Sequence, residues 1–152
     1  MHTSIRLLAI GAFLSACCAP AYCAEKATRE EAVALVKKVI GEIKTKGLEK
    51  TIEEVNEPKG RFLDRDLYVM IYDMSGKNLA HGANPRMVGK NLIEMRDVNG
   101  VYFVKERIEI AKTKGSGWQD YQFVNPVSKK IEPKSLYIEK AGDVIVTSGV
   151  YK

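Results

Sequence analysis

The sequence predicts an α+β fold, in which an antiparallel sheet of about five strands follows a long amino-terminal helix and carries a helical insert. Apolar residues recur at helical spacing between residues 32 and 43. Runs rich in β-branched and aromatic residues occupy 67–72, 118–124, 134–140 and 144–151. Because the last of these runs are joined by short connections, their strands must be antiparallel neighbours.

The long helix has clear signals at both ends. Thr28 and Glu31 have the spacing of a capping box, which satisfies backbone donors at a helix start. Gly47 stops or kinks the helix. Apolar residues between 48 and 55 then predict a second short helix, which is ended by Pro58.

The first long strand is predicted to be central in the sheet. Tyr68, Met70 and Tyr72 share one of its faces, and the apolar residues between them share the other. Both faces are therefore apolar and should be covered. A glycine-containing turn leads into a second strand at 78–81, which forms a β-hairpin with the first.

A helical insert is expected between the second and third strands. Asn84 is placed as an N-cap and Pro85 as the first residue of a short helix, which runs on through residues 88–95. Apolar spacing from Val101 to Ala111 predicts a further helix of about three turns that ends at Gly115.

The amino terminus is typical of a secretory signal, which predicts a leader at 1–24 and a domain at 25–152. Its apolar run is too short for a membrane anchor, which needs about 20 residues. Two processing routes fit. Small residues near Ala24 suit a signal peptidase, and the sequence that ends at Cys17 suits a lipoprotein box, with Cys17 as the lipidation candidate. We expect a periplasmic protein that is either free or lipid-anchored.

Composition narrows the function. The chain has 152 residues with a net charge of +5, and its basic and acidic residues are interspersed. The sequence has no basic cluster with interleaved aromatic residues, so it gives no indication of nucleic-acid binding. All three cysteines lie in the leader, and the domain has a single histidine. The sequence therefore predicts no catalytic activity, no metal site and no cofactor.

Several segments resemble the single Cache domain family, in its type 2, stand-alone periplasmic form. The matching segments appear in order along residues 28–152, and they are 66–81, 84–92, 117–121, 125–126, 132–137 and 148–151. The resemblance implies a PAS-like sheet, a long amino-terminal helix and a ligand pocket between the sheet and the insert. It also implies an extracytoplasmic sensory module for small organic acids, and a homodimer through the amino-terminal helix is a further expectation.

Receptors of this family place the domain between two membrane helices. This chain ends at Lys152, directly after the last predicted strand, without an output domain. We therefore expect it to act through a membrane receptor or kinase partner. The alternative is a ligand-free structural or interaction subunit with the same fold.

Binding a carboxylate of two to four carbons requires a cation or several donors, and the resemblance directs attention to two residues. His81 ends the second strand and could donate to a carboxylate, or it could simply bond to backbone. Lys134 opens a strand within the segment 132–137 and could anchor the acid, or it could lie at the surface. Five further candidates are aromatic or cationic, namely Trp118, Tyr121, Tyr137, Tyr68 and Arg86. For these five, core packing or solvent exposure is the alternative.

Overall fold

The computed structural model describes residues 26–152. The predicted leader and the lipidation candidate Cys17 lie outside the described residues, so both stay predictions. Within residues 26–152, no helix is long and apolar enough to cross a bilayer.

Three α-helices pack on the sheet. They are α1 at Arg29–Lys46, α2 at Leu48–Asn56 and α3 at Phe103–Lys114. The predicted capping box is confirmed, because the Thr28 hydroxyl accepts from the Glu31 amide and the Glu31 carboxylate accepts from the Thr28 amide. Gly47 separates α1 from α2 with a positive φ of 87°, a conformation that favours glycine.

The sheet has six antiparallel strands where about five were predicted. They are β1 at Leu63–Asp64, β2 at Leu67–Asp73, β3 at Asn78–His81, β4 at Ser116–Val124, β5 at Ile131–Ala141 and β6 at Val144–Tyr151. Their order is β1-β2-β6-β5-β4, and β3 also pairs with β2. The additional strand, β1, is too short to leave a recognisable period in the sequence.

Strand β2 is buried on both faces, as its sequence predicts. Tyr68, Met70 and Tyr72 belong to a core that includes α3, whereas Val69 and Ile71 belong to a core formed with α1 and α2. The sheet therefore separates two apolar layers. Only the layer under α3 and the insert contains the polar cluster described below.

The insert differs from the sequence prediction. Asn84 caps a helix as expected, but that helix is a single 3₁₀ turn at Pro85–Met87 and does not run on to residue 95. Instead, the backbone of Asn78 in β3 donates to the Lys90 carbonyl at 2.9 Å and accepts from the Gly89 amide at 2.7 Å. These bonds hold the chain against the edge of β3, and they use backbone groups that a helix would need.

The register of the last three strands positions the candidate site. Strand β5 pairs with β4 from Ser116–Glu139 through Val124–Ile131 without a shift, so it is longer than the predicted 134–140. Across this register, Lys134 lies opposite Tyr121 of β4 and opposite Tyr151 of β6. Cross-strand partners point to the same face of a sheet.

We expect Gly149→Ala to disrupt this register. A Cβ at Gly149 would lie 2.7 Å from the Leu136 Cα and against the Ser135 carbonyl oxygen, so β5 and β6 would have to move apart. The predicted loss is about 1–3 kcal/mol in the free energy of unfolding, measured with urea. The matched control is Gly41→Ala on α1, where a Cβ meets no atom within 4 Å. This control should gain up to about 1 kcal/mol, and equal losses in both variants would contradict the argument.

Candidate functional site

Lys134 lies at the centre of the candidate site. Its side chain is fully buried in a row with Tyr121 and Tyr151, one residue from each of β5, β4 and β6. The ammonium nitrogen lies 3.8 Å from the Tyr68 ring centroid and 4.6 Å from that of Tyr151. It also lies 3.4 Å from the Tyr151 hydroxyl oxygen. Aromatic faces attract a cation, but they do not neutralise its charge.

No carboxylate within residues 26–152 forms an ion pair with Lys134. Burial lowers its pKa well below the ordinary value, and the Arg107 cation lowers this pKa further. The Asp66 carboxylate acts in the opposite direction, but it is too weak to reverse the effect. In the protein alone, these effects shift Lys134 towards the neutral amine.

Arg107 supplies a second buried cation, which the sequence analysis missed. It lies on α3, is fully buried, and has aromatic side chains around its guanidinium. Its guanidinium carbon is 4.9 Å from the ring centroid of Tyr72, 5.4 Å from that of Tyr121 and 5.5 Å from that of Phe103. The guanidinium donates a hydrogen bond to the Gln119 side-chain oxygen, which is long at 3.5 Å.

Two of the three Arg107 nitrogens, Nε and Nη1, are buried without a hydrogen-bond partner. An arginine stays charged at physiological pH, so this guanidinium carries an uncompensated charge in the core. Unpaired buried charges and donors cost several kcal/mol. The described residues therefore place a buried guanidinium without a carboxylate partner beside the buried amine of Lys134, on one face of the sheet.

His81 completes the cluster. Its ring stacks on Tyr68 with 5.1 Å between centroids and is only 3% exposed. The Nδ1 atom accepts hydrogen bonds from the backbone amides of Ala83 at 3.3 Å and Asn84 at 3.1 Å. An acceptor at Nδ1 places the proton of the neutral ring on Nε2. This Nε2 is buried without a partner, so it offers a free donor.

The charge state of His81 follows from its surroundings. Burial lowers its pKa to about 3, and the cations of Lys134 and Arg107 act in the same direction. His81 is therefore neutral at physiological pH. It can donate one hydrogen bond, but it cannot act as a cationic anchor.

Cavities reach Tyr68, His81 and Lys134, and Arg107 is not among the lining residues of the two described below. A cleft of about 420 Å³ lies between the insert and the β4–β5 hairpin, with Tyr68 and His81 in its lining. Its apolar wall includes Met87, Phe123 and Val124. A second cavity of about 240 Å³ borders Tyr121 and Lys134. Cavities of this scale accommodate small molecules, and an apolar lining with a few polar groups is typical of ligand sites.

The structure brings together four of the seven predicted binding residues. Tyr68, His81, Tyr121 and Lys134 lie on the face of the sheet under α3 and the insert. We call these four, with Arg107 and Tyr151, the cationic cluster.

The other three predicted residues lie elsewhere. Trp118 and Tyr137 are cross-strand partners with 5.3 Å between ring centroids, and they pack on the α1 side of the sheet. The Arg29 guanidinium of α1 lies 3.7 Å from the Trp118 ring centroid. Because β4 runs without a bulge, Trp118 and Tyr121 point to opposite faces. Arg86 is exposed on the 3₁₀ turn.

A signal for Arg107 exists in the sequence. The buried apolar residues of α3 include Val104, Ile108 and Ala111, and position 107 falls three residues after the first of them and four before the last. A charged residue on the apolar stripe of a helix indicates a buried charge. Tyr151 lies at the end of β6, the last strand, and every residue of that strand is buried.

Comparison with known proteins identifies the family. The model of the single Cache domain 2 family matches residues 19–152. The chain belongs to this family.

One receptor sequence and two solved structures are similar to this chain, and the two structures, each under 25% identical, share its fold. The methyl-accepting chemotaxis protein McpP of Pseudomonas putida is 31% identical over 90 residues, which are 58% of this chain and 16% of that receptor. A methyl-accepting chemotaxis protein of Vibrio parahaemolyticus has 23% identity and a TM-score of 0.69, over 80% of this chain and 86% of that structure. A Cache chemosensory domain described for carboxylic acid recognition has 21% identity and a TM-score of 0.64, over the same shares.

The buried neutral His81 predicts a component of acid sensitivity. The unfolded chain binds a proton at His81 below pH 6.5, whereas the folded domain binds it only near pH 3. Stability is therefore complete above pH 6.5 and falls as the pH falls towards 3. Between pH 7 and pH 5, this one group should cost about 2 kcal/mol.

The measurement is urea unfolding of wild type and His81→Asn at both pH values. Asparagine does not titrate, and it keeps an acceptor for the amides of Ala83 and Asn84. The variant should lose about 2 kcal/mol less than wild type on acidification. Equal losses in the two proteins would mean that His81 is not buried in its neutral form.

Proposed function

We propose that this Cache domain is an extracytoplasmic sensory module that binds a small monocarboxylic acid in the cationic cluster. The observation that carries this proposal is the fully buried guanidinium of Arg107, which has no carboxylate partner within residues 26–152 and lies on the same face of the sheet as the buried amine of Lys134. An anion from solution would supply the missing charge. Burial would make each of its charge-assisted hydrogen bonds strong.

The donors of the cluster suit a carboxylate. Arg107 offers the protons of Nε and Nη1, and His81 offers the proton of Nε2, none of which has a partner within the described chain. Lys134 adds a third source once it is protonated. A carboxylate has two oxygens that accept about four hydrogen bonds, so one such group could engage several of these donors.

The surroundings favour a short ligand. The aromatic rings of Tyr68, Tyr72, Tyr121 and Phe103 lie around the two basic side chains, and an acid of two to four carbons would gain apolar contact from them. Carboxylic acid recognition is described for one of the similar Cache structures, which agrees with this ligand class. The identity between the two chains is low, at 21%, so that structure does not assign roles to individual residues here.

One similar protein suggests the kind of signalling partner. The similar protein of Pseudomonas putida is a chemotaxis receptor, and this chain spans only 16% of it. We propose that the domain is exported by its leader and presents its ligand-bound state to a membrane receptor or kinase. Lipidation at Cys17 would hold it beside such a partner, whereas cleavage near Ala24 would release it.

Thermal unfolding with a panel of acids of two to four carbons tests the ligand class. An acid present at 100 times its dissociation constant should stabilise the domain by about 2.7 kcal/mol, a shift of several degrees in Tm. Butylamine serves as a cationic control of similar size, and butanol serves as an uncharged one. If no acid shifts the Tm, the ligand-free structural subunit becomes the better account.

Arg107→Met should separate stability from binding. Methionine fills a similar volume without a buried charge, so the ligand-free variant should gain about 1–4 kcal/mol in the free energy of unfolding. The same change should abolish the acid-induced shift. Arg29→Met is the matched control, because Arg29 lies on the exposed α1 side over Trp118. A destabilised Arg107→Met that still responds to the acid would contradict the assignment.

A further inference from the structure

Lys134 favours the neutral amine in the protein alone, whereas pairing with a carboxylate requires the protonated form. The nitrogen is enclosed by the rings of Tyr68 and Tyr151 and has no exposed surface. Its one polar contact is the Tyr151 hydroxyl, which donates in turn to the Val124 carbonyl at 2.8 Å. This environment stabilises a neutral amine, whose lone pair needs no counterion.

Every titratable or charged group that faces Lys134 bears on this balance. Tyr68 on β2, Tyr121 on β4 and Tyr151 on β6 stay neutral, because burial raises the pKa of each phenol. His81 on β3 is neutral as well. The charged neighbours are Arg107 on α3, which opposes protonation, and Asp66 before β2, which favours it. Three further charged residues, Asp97, Asp120 and Lys152, line the smaller cavity with Lys134.

A bound carboxylate would reverse this balance. It would place a full negative charge inside the cluster, where the low effective dielectric strengthens its attraction to a cation. It would also offset the repulsion from Arg107, since the guanidinium would then have its own counterion. Protonated Lys134 would therefore become the favoured form.

We propose that the site binds a carboxylate together with one proton, which Lys134 takes up from solvent. This inference rests on the proposed function, because it concerns the same site. The amine of Lys134 gains an N–H bond and becomes an ammonium, while the ligand stays a carboxylate. The complex has the composition of the undissociated acid, although its charges are separated between ligand and protein.

Proton uptake makes the apparent affinity depend on pH. By linkage, the association constant should fall as pH rises, by up to tenfold per unit while Lys134 is neutral in the empty site and protonated in the complex. The domain would then respond most strongly to an acid in an acidified medium, where the free acid and its proton are both more abundant.

Isothermal titration calorimetry of the domain with propionate tests the proposal. The titration is run at pH 8 in phosphate, HEPES and Tris, which differ in their heats of ionisation. The slope of the observed heat against the buffer's heat gives the number of protons exchanged. We expect uptake close to one proton for wild type and none for Lys134→Met, in which residual binding would depend on Arg107.

The matched control is Lys37→Met. Lys37 is an exposed lysine on α1 in an ion pair with Glu139, so its replacement should leave proton uptake unchanged. Uptake that persists in Lys134→Met but disappears in His81→Asn would assign the proton to His81 and overturn the proposal. Propionate binding without buffer dependence in wild type would also overturn it, while leaving the proposed function intact.

Failure of the proposed function and failure of proton uptake give different results. If neither propionate nor the other acids bind, the proposed function fails first. If Lys134→Met does not fold, the dissociation constant of wild type for propionate at pH 6, 7, 8 and 9 provides an independent test. A constant that rises with pH supports proton uptake, and one that stays flat overturns it.

Discussion

The site depends on burying Lys134 in the middle of an antiparallel sheet. A lysine is almost never fully buried without an ionic partner, because removing its charge from water is costly. Here the unbroken register of β4, β5 and β6 fixes tyrosines on both sides of it, and Gly149 allows the close approach of β5 and β6. The sheet therefore determines both where the amine lies and how poorly it is solvated.

The two faces of the sheet have different physical roles. The α1 face is an apolar core around Val36, Val39, Val69 and Ile71, with ion pairs only at its surface. The face under α3 mixes tyrosines with Lys134, Arg107 and His81. Apolar packing on the α1 face can thus stabilise the fold. The other face retains the uncompensated charge of Arg107, which a ligand would balance.

Sequence reasoning predicted the architecture because its signals are local. The capping box at Thr28, the apolar run of β2 and the glycine after α3 each constrain a few adjacent residues. The insert was predicted less well, since the bonds from Asn78 to Gly89 and Lys90 are specified by tertiary contact and by no period. Among the site residues, strand parity could separate Tyr121 from Trp118, but it could not decide which face receives α3.

Arg107 shows why the cluster could be predicted only in part. Its position on the apolar stripe of α3 indicates burial, but only Phe103 among the rings around it lies on the same helix, and the rings of Tyr72 and Tyr121 come from β2 and β4. Those rings hold the cation by attraction to their faces and leave Nε and Nη1 free. A carboxylate at this position would have satisfied the guanidinium within the fold. Aromatic neighbours hold Arg107 inside the fold without pairing Nε and Nη1, which is why the proposed partner of the site is a small anion.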